Sequence, residues 1–386
     1  MYLDRLGLID FRAIAHSDVR FEHPASEDAA QLELPNLTVL LGINGGGKSS
    51  VLKAIASAVT LGLDGPPPGF EQWPRIGSDR DLVVRADFVD STPAVAGTLP
   101  IRWSNQYSLG RGDGDLAVID HNLPAEAQLM AAYGPGRSDT TPEPTERPVV
   151  SHLLDKRPLV SLDQWFDASD RRGEMAKILN SVLPDDVEVL DADHPEGRFV
   201  AQRGIPLLVD ELSDGIRSFL AWISDFFWYL EHRSDPGVGL DQVGGLLLVD
   251  EIDQRLHPRW AQWALTRLAA SLPSTQIICT ATNPLIPSGL RRPNLLLVEP
   301  DLDLPGAGAT RVSRLATEEV YGRTADQVLT SSYFGMESTR GDLFRSELRT
   351  LAMQARDRGG RRGRDAAMEF MARLADPTRT DTGDDE

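Results

Sequence analysis

The stretch of sequence that decides the fold is GINGGGKS, residues 42–49. It matches the pattern G-x-x-x-x-G-K-[ST], in which the backbone N–H groups of a glycine-rich loop surround the phosphates of a nucleotide. The β-type run LTVLL precedes it and the helix-like stretch SVLKAIASAV follows it, which is the context that the pattern requires. The sequence therefore predicts a nucleoside triphosphate site between a strand and the start of a helix.

The residue types of this loop suit phosphate binding because glycines let backbone N–H groups point inward without obstruction by side chains. Lys48 is expected to reach the β- and γ-phosphates, and Ser49 to bind Mg²⁺. We expect nucleotide contacts from Asn44, Gly45, Gly46, Gly47, Lys48, Ser49 and Ser50.

Two adjacent carboxylates follow an apolar run in GGLLLVDEIDQRLHP, residues 244–258. The run indicates a strand buried on both faces of a parallel sheet, and such sheets place ligands at the carboxyl ends of their strands. Asp250 is expected to hold Mg²⁺, and Glu251 to polarise the water that attacks the γ-phosphate. Alone, such a pair is more often a solvated strand end, but the phosphate loop upstream favours the catalytic interpretation.

An amphipathic helix is predicted in ELSDGIRSFLAWISDFFWYL, residues 211–230, from apolar residues at i, i+3, i+4 and i+7 spacing. Ser213 or Asp214 is expected to cap its N-terminus, and Gly215 would allow another segment to approach closely. The pattern fits a capped core helix as well as a functional helix start, so the segment by itself leaves both interpretations open.

These segments together resemble an ABC-class ATPase, a P-loop NTPase, in the SMC/RecF/OLD-like branch rather than the transporter branch. The sequence is also similar to stand-alone prokaryotic defence-associated ATPases of the Septu type. The resemblance is carried by GINGGGKS (Walker A), LLLVDE at 246–251 (Walker B), LSDG at 212–215 (ABC signature), IDQRLHPRW at 252–260 (D-loop), DFR at 10–12 and AAYGPGR at 131–137. It implies an α/β head with a mixed sheet, an inserted helical signature subdomain and a helical C-terminal region.

The same resemblance implies ATP and Mg²⁺ as cofactors, and a homodimer or higher oligomer with two heads arranged head to tail. In that arrangement Ser213, Asp214 and Gly215 contact the γ-phosphate held by Lys48 of the opposite subunit. Arg12 of the DFR segment approaches the nucleotide.

The sequence departs from this family at the switch position. Relatives carry a histidine after a strand, whereas here the strand QIIC leads to Thr282 and Asn283. Neither side chain can carry the charge of an imidazole, although either can donate a hydrogen bond. The signature also has Asp214 where the family more often has glycine. We therefore expect nucleotide binding with slow hydrolysis. No glutamine is clear as the Q-loop residue; Gln128 is a weak candidate.

Changes in composition divide the chain into a discontinuous core and added segments. We expect a nucleotide-binding core from 1–137 and 238–300, interrupted by the signature subdomain at 138–237. A helical region is expected over 301–375, followed by a disordered acidic tail at 376–386. No segment between Lys48 and Ser213 sustains apolar heptads, so we expect an inserted helical lobe there and no long coiled coil.

Helical patterns are predicted over residues 153–183 and 318–371, with a capping box formed by Thr324 and Gln327. A cluster of arginines lies near the end of the second stretch. Its members are Arg356, Arg358, Arg361, Arg362 and Arg364. A solvated charge run is the favoured interpretation of this cluster, and a local basic patch for DNA or RNA is the alternative.

The whole chain has 386 residues and a net charge of −19, which argues against a surface built uniformly for nucleic acids. Its one cysteine, Cys279, excludes an internal disulfide and suits a reducing compartment. No run of 18 apolar residues is present, so we expect no membrane association and a cytoplasmic location.

The function favoured by these observations is an ATPase switch that controls a separate effector protein, such as a nuclease, in anti-phage defence or DNA maintenance. No carboxylate cluster of the kind OLD nucleases carry follows residue 300. Three alternatives stay open: a RecF-like mediator of DNA repair, the ATP-binding subunit of a membrane transporter, and a scaffold that binds ATP without hydrolysing it.

Overall fold

The computed structural model describes most of the chain. The described residues are 1–64, 69–91, 100–110, 115–123, 129–137, 140–141, 151–155, 158–190, 200–235, 237–301, 303, 309–357 and 361–375. Two compact units are present, Met1–Phe334 and Gly335–Glu386. The finer division into core, signature subdomain and C-terminal region stays a prediction, and the predicted acidic tail at 376–386 lies outside the described residues.

The strands all belong to the first unit. They are β1 Tyr2–Phe11, β2 Ile14–Arg20, β3 Leu37–Gly42, β4 Leu82–Val89, β5 Arg102–Leu109, β6 Leu116–His121, β7 Met130–Tyr133, β8 Thr140–Thr141, β9 Leu159–Val160, β10 Val187–Val189, β11 Val200–Gln202, β12 Ile205–Leu207, β13 Gly245–Val249, β14 Thr275–Thr280, β15 Leu295–Pro300 and β16 Thr310–Ser313.

The helices occur in both units, with the last two in the second. They are α1 Lys48–Asp64, α2 Ser151–Asp155, α3 Leu162–Ala168, α4 Arg172–Val182, α5 Asp214–Arg233, α6 Pro258–Ala261, α7 Ala264–Ser271, α8 Ala325–Leu329, α9 Asp342–Asp357 and α10 Arg361–Ala375.

One sheet of eleven strands organises the first unit, in the order β6-β5-β4-β1-β2-β16-β15-β3-β14-β13-β7. Strands β15, β3, β14, β13 and β7 are parallel, and strands β2, β1, β4, β5 and β6 pair antiparallel. This confirms the predicted mixed α/β sheet. Because β14 lies between β3 and β13, the carboxyl ends of all three strands meet at one edge of the sheet.

The parallel strands are buried on both faces, as the apolar run before Asp250 predicts. In β13, Leu247 and Val249 pack into one core cluster, while Leu246 and Leu248 pack into the cluster on the other face. All four side chains are at most 1% exposed. A central strand fixed from both sides gives the residue after it, Asp250, a defined position.

The signature segment forms the predicted amphipathic helix, α5. Its apolar stripe is buried in the core cluster on one face of the sheet. A separate three-stranded antiparallel sheet, β10-β11-β12, precedes the helix in sequence. Its last two strands, β11 and β12, form a hairpin.

Two of the helical expectations are wrong in part. The stretch 153–183 is interrupted by the strand β9, which separates α2 from α3. The stretch 318–371 contains three helices but begins and continues with irregular segments, where Gly322 and Gly335 have φ of 74° and 64°. Left-handed glycines end helices, and the helical periodicity of the flanking residues does not reveal them.

Candidate nucleotide-binding site

The phosphate loop joins β3 to α1 and has the backbone that the motif requires. Gly45 and Gly47 have φ of 77° and 107°, in the region that favours glycine. Gly42 has φ of 135°, and a Cβ there would lie 2.2 Å from the carbonyl oxygen of Val298 on the neighbouring strand β15. Lys48 Nζ donates hydrogen bonds to the carbonyl oxygens of Gly42 (2.8 Å) and Ile43 (3.1 Å). The lysine thus lies along its own loop.

The acidic turn after β13 is held by a threonine at the end of β14. Thr280 donates to Asp250 Oδ1 at 2.7 Å and accepts from the amide N–H of Glu251 at 2.7 Å. Asp250 and Thr280 are buried, and Glu251 is half-buried. Glu251 has φ of 49°, which is uncommon for a residue other than glycine. One hydroxyl therefore fixes both carboxylate-bearing residues.

The switch position lies beside the same turn. Asp253 Oδ2 accepts from the amide N–H groups of Thr282 (3.0 Å) and Asn283 (2.7 Å), and from the Thr282 hydroxyl (3.1 Å). The Thr282 side chain is exposed and lines the pocket described next. Its hydroxyl is already bonded to a carboxylate in this arrangement.

A pocket of about 830 Å³ contains most of the residues predicted to bind the nucleotide. It is lined by Arg12, Ala13, Asn44, Gly45, Gly47, Lys48, Ser49, Ser50, Lys53, Gln72, Pro74, Arg75, Ile76, Asp250, Glu251, Thr280 and Thr282. Four basic side chains and two carboxylates face the same space, an arrangement that suits a polyanion held together with a divalent cation.

Burial and charge shape the electrostatics of the pocket. Burial lowers the pKa of Lys48, and the carboxylates of Asp250, Glu251 and Asp253 oppose this shift. Burial also lowers the pKa of Arg137 to about 10, again opposed by the same acidic turn. The pKa of Arg137 thus stays well above neutral, and its guanidinium is protonated at pH 7.

Arg12 lines the pocket from the turn between β1 and β2, which is held in place by the buried carboxylate of Asp10. Asp10 is fully buried and pairs with Arg80 (2.8 Å) and Arg75 (3.7 Å), and it accepts from the Ser78 hydroxyl at 2.9 Å. The Arg12 N–H donates to the carbonyl oxygen of Trp73 at 2.7 Å. The loop that carries Gln72, Pro74, Arg75 and Ile76 is thereby fixed as one wall of the pocket.

The signature residues lie in a different pocket, of about 800 Å³. Ser213 and Gly215 line it together with Arg255 and His257 of the segment after β13. Packing against that segment is close, since a Cβ on Gly215 would lie 2.3 Å from the Arg255 carbonyl oxygen. The predicted pocket for the phosphates and the predicted signature are therefore not brought together within one chain.

The expected side-chain cap of α5 is wrong. Ser213 occupies the N-cap position, but its side chain makes no cap hydrogen bond, and it is exposed. Asp214 lies in the first turn and pairs with Arg217 at 2.6 Å instead. The serine side chain is therefore exposed at the start of the helix and is not bonded to it. In contrast, the capping box of Thr324 and Gln327 is confirmed.

Several other predicted residues contribute less. Gln128 and Arg358 lie outside the described residues, and of the predicted basic patch the structure describes the side chains of Arg356 and Arg364, both exposed. Cys279 is buried in β14, and burial raises the pKa of its thiol, so it behaves as a small core residue. The His257 side chain accepts from the Arg259 N–H as the cap of α6.

Sequence reasoning missed the residues that position the site. Asp10 and Asp253 lie in the DFR and IDQRLHPRW segments, but the sequence assigned neither of them a role, and Thr280 belongs to no motif. Their partners come from strands or loops far away in sequence. The position of Asp10, two residues from a predicted nucleotide contact, is the one signal that the sequence offered.

Comparisons with known proteins agree with this geometry. The family model described as an AAA domain, putative AbiEii toxin, Type IV TA system, matches residues 110–286. The Septu protein PtuA of Bacillus mycoides (strain KBAB4) is 25% identical over 355 residues, which cover 89% of this chain. The Retron Ec83 probable ATPase of Escherichia coli is 30% identical over 105 residues, covering 27% of this chain and 19% of that protein. The chain resembles the SMC- and OLD-like ATPases of defence systems.

The chain spans only 46% of the length of the Septu protein that it matches. Among solved structures, an SMC head bound to the C-winged helix domain of ScpA has a TM-score of 0.51 at 16% identity, with 82% of this chain and 98% of that one covered. An SMC head with an extended coiled coil, derived from Pyrococcus furiosus, has a TM-score of 0.50 at 12% identity, covering 82% and 96%. These likenesses show the fold of an SMC-type P-loop ATPase head.

The described residues contain no group of three or more His, Cys, Asp or Glu side chains placed to bind a metal. Mg²⁺ needs no such cluster, because it is bound through one or two protein oxygens together with phosphates and water. In the described part of the chain, no helix has the length and apolarity to cross a membrane.

Proposed function

We propose that this chain binds ATP with Mg²⁺ in the pocket of the phosphate loop and hydrolyses it slowly. The proposal is supported by one observation above all: Lys48, Ser49, Asp250 and Glu251, predicted from two segments some 200 residues apart, line a single pocket. The left-handed glycines of the loop and the start of α1 supply inward-pointing N–H groups for phosphate oxygens.

Ser49 and Asp250 are the residues that would hold Mg²⁺, which supplies charge neutralisation for the phosphates when bound. Lys48 exchanges its two loop carbonyls for phosphate oxygens, to which a cation binds more strongly. Glu251 accepts a proton from the attacking water at its carboxylate oxygen. Arg12 and Arg75 add positive charge at the outer wall.

We propose further that hydrolysis requires a second copy of the chain, head to tail. Within one chain the signature residues Ser213 and Gly215 line a pocket distinct from that of Lys48. The exposed Ser213 hydroxyl and the N-terminus of α5 can together bind an anion. The nucleotide bound at Lys48 of the same chain would not supply that anion, because it lies in the other pocket. A second copy in a closed twofold arrangement would place this site against the γ-phosphate.

The dimer is tested by light scattering of the Glu251→Gln variant with ATP and Mg²⁺. We expect a dimer of long lifetime, because the nucleotide is bound but not cut. Lys48→Ala, which removes the phosphate-binding cation, is the matched control and should stay monomeric under the same conditions. A Glu251→Gln protein that binds ATP yet stays monomeric, with or without co-purifying partners, would rule out the head-to-tail dimer.

Slow turnover is proposed because the switch position lacks an imidazole and the Thr282 hydroxyl is bonded to Asp253. Steady-state phosphate release at saturating ATP should stay below roughly 10 per second. A faster rate would refute the slow-switch part of the proposal while leaving ATP hydrolysis intact.

A role in defence, with ATP state controlling a separate effector protein, is proposed from the Septu and retron relatives alone. Its test is co-expression with the products of neighbouring genes. Co-purification that depends on ATP and is lost in Lys48→Ala would support an effector. Stimulation of turnover several-fold by linear duplex DNA without any partner would instead favour a RecF-like repair mediator.

A further inference from the structure

Arg137 is a buried cation that belongs to no pocket described above. It lies in the segment after β7 and is 1% exposed. Its guanidinium donates to the carbonyl oxygens of Asp250 (2.5 Å), Glu251 (2.6 Å) and Gly134 (3.3 Å). All three bonds go to backbone carbonyls. A buried guanidinium is unfavourable unless its donors are satisfied. Here the NH1 and NH2 groups are bonded, while Nε is buried and has no hydrogen-bond partner among the described residues.

The carbonyls that Arg137 binds flank the proposed general base. Glu251 has φ of 49°, a backbone conformation that residues other than glycine rarely adopt. Its N–H is bonded to Thr280 Oγ1, and its C=O is bonded to Arg137. The carbonyl of Asp250, on the other side of the same peptide, is bonded to Arg137 as well. The Glu251 C=O also accepts from the Gln254 N–H at 3.0 Å, within the turn itself. The bonds that tie this backbone to other segments of the chain come from Thr280 and Arg137.

We propose that Arg137 is a positioning residue for ATP hydrolysis, which holds Glu251 in its left-handed conformation so that the carboxylate faces the pocket. Arg137 does not itself line that pocket, and it acts through the backbone of Glu251. The inference rests on the proposed ATPase function and adds to it a residue whose side chain never meets the nucleotide.

The choice of arginine follows from the geometry. Two separate carbonyls, one residue apart, accept from the NH1 and NH2 groups of one planar guanidinium. A lysine ammonium is a single point of charge and lacks this rigid fork. The positive charge also lies beside the carboxylates of Asp250, Glu251 and Asp253, whose mutual repulsion it reduces.

The support behind Arg137 comes from the signature helix. The guanidinium lies 6.0 Å from the centre of the Trp222 ring, and Tyr133, at the end of β7, donates to Asp225 Oδ2 at 2.8 Å. Trp222 and Asp225 are both buried on α5. The segment that fixes Glu251 is thus braced by the same helix whose start carries Ser213.

The first test measures ATP turnover and nucleotide affinity in Arg137→Ala. We expect kcat to fall on the order of 10²-fold, the size of effect that a misplaced catalytic group produces. The affinity for a fluorescent ATP analogue should change by less than about threefold, since the residues that bind phosphate are untouched. Millimolar guanidinium chloride should restore part of the lost kcat, because it can occupy the space left by the side chain. Arg137→Lys should recover little.

Arg314→Ala is the matched control. Arg314 is half-buried, burial likewise lowers its pKa, and it donates to the backbone carbonyls of Pro293 and Arg20. It lines no part of the nucleotide pocket. We expect Arg314→Ala to lower the melting temperature while kcat stays unchanged and does not respond to guanidinium.

The outcomes separate this inference from the function on which it rests. If the wild-type protein shows no turnover, or Glu251→Gln turns over like the wild type, the proposed ATPase function fails. If the wild type is active and Glu251→Gln is not, an Arg137→Ala protein with normal kcat overturns the positioning role alone. The positioning role is also overturned if the kcat lost in Arg137→Ala is not partly restored by guanidinium. It is overturned as well if the double variant Arg137→Ala, Glu251→Gln has a lower kcat than Glu251→Gln alone. Should Arg137→Ala not fold, a folded Arg137→Lys protein with normal kcat gives the same refutation.

Discussion

Replacing Thr280 with valine tests the hydrogen bonds that hold the acidic turn. The substitution keeps the shape of the side chain but removes a hydroxyl that bonds the Glu251 N–H and the Asp250 carboxylate, both at 2.7 Å. A hydrogen bond to a charged group contributes about 1.5–3 kcal/mol, and a buried N–H left without a partner costs about 1–3 kcal/mol. Because Glu251 is half-buried and water can reach it, we expect the free energy of unfolding to fall by about 3 kcal/mol.

Thr38 offers a control on the neighbouring strand β3. It is fully buried, and its hydroxyl has no hydrogen-bond partner among the described atoms. Thr38→Val removes a buried polar group that gains nothing from folding, so stability should stay the same or rise by about 1 kcal/mol. Both variants replace a threonine that is 0% exposed with valine, but their expected effects on stability differ.

Urea unfolding followed by tryptophan fluorescence measures both effects. All seven tryptophans lie in the first unit, so the signal reports on the sheet that carries both threonines. The dependence of unfolding free energy on urea should be the same in all three proteins, which identifies a change in stability rather than in the denatured state. A Thr280→Val protein as stable as the wild type, or a Thr38→Val protein that loses as much, would refute the reasoning.

Three further predictions concern the lysine of the phosphate loop, two glycines (one in that loop and one in α4) and a buried histidine. Lys48→Ala should weaken binding of a fluorescent ATP analogue by more than about 100-fold, because phosphate loses its main cation; a change of only a few fold would contradict the assigned role. Gly42→Ala should destabilise the protein and abolish nucleotide binding, since its Cβ would lie 2.2 Å from the Val298 carbonyl oxygen. Gly173→Ala, an exposed position in α4 with open space around it, should instead raise the melting temperature. Burial lowers the pKa of His23 in the folded protein, and the carboxylate of Asp4 opposes this shift. The unfolded chain therefore takes up a proton at a higher pH than the folded protein does. The stability contributed by the neutral imidazole is full above about pH 6.5 and is lost as the pH falls towards the pKa of His23 in the folded state. Urea midpoints at pH 7.5 and 5.5 should therefore differ less in His23→Gln than in the wild type; an equal difference would exclude His23 as the source.

The sequence predicts the parts of the fold that have strong local patterns. The phosphate loop, the strand before Asp250 and the amphipathic helix α5 are confirmed because each is set by glycines or by apolar periodicity within some 20 residues. Strands β5, β6, β7 and β16 were not predicted. Strands β7 and β16 have only four residues each, and they pair with β13 and β2, which are distant in sequence. Strand β6 lies at an edge of the sheet and has no buried residue, so its sequence carries weak alternation.

The candidate site divides in the same way. Residues that contact a nucleotide belong to motifs, so Lys48, Asp250 and Glu251 could be named from sequence. Thr280 and Arg137 fix the backbone beneath them through bonds across 29 and 114 positions. Such partners depend on strand order, since β14 and β7 lie on either side of β13, and strand order is not encoded locally.

The central claim is that each ATP site is shared between two copies of the chain, and mixing two inactive variants tests it most directly. Glu251→Gln removes the catalytic carboxylate of a site while leaving the cation that binds ATP, and Ser213→Arg blocks the signature side at an exposed position that makes no cap bond. When the two proteins are mixed before ATP is added, random pairing into head-to-tail dimers leaves one intact site in half of the dimers, so turnover should recover to about a quarter of the wild-type rate. Lys48→Ala mixed with Glu251→Gln, which damage the same side, should not recover. If the first mixture stays as inactive as its components, or if Ser213→Arg alone turns over like the wild type, the site is not shared.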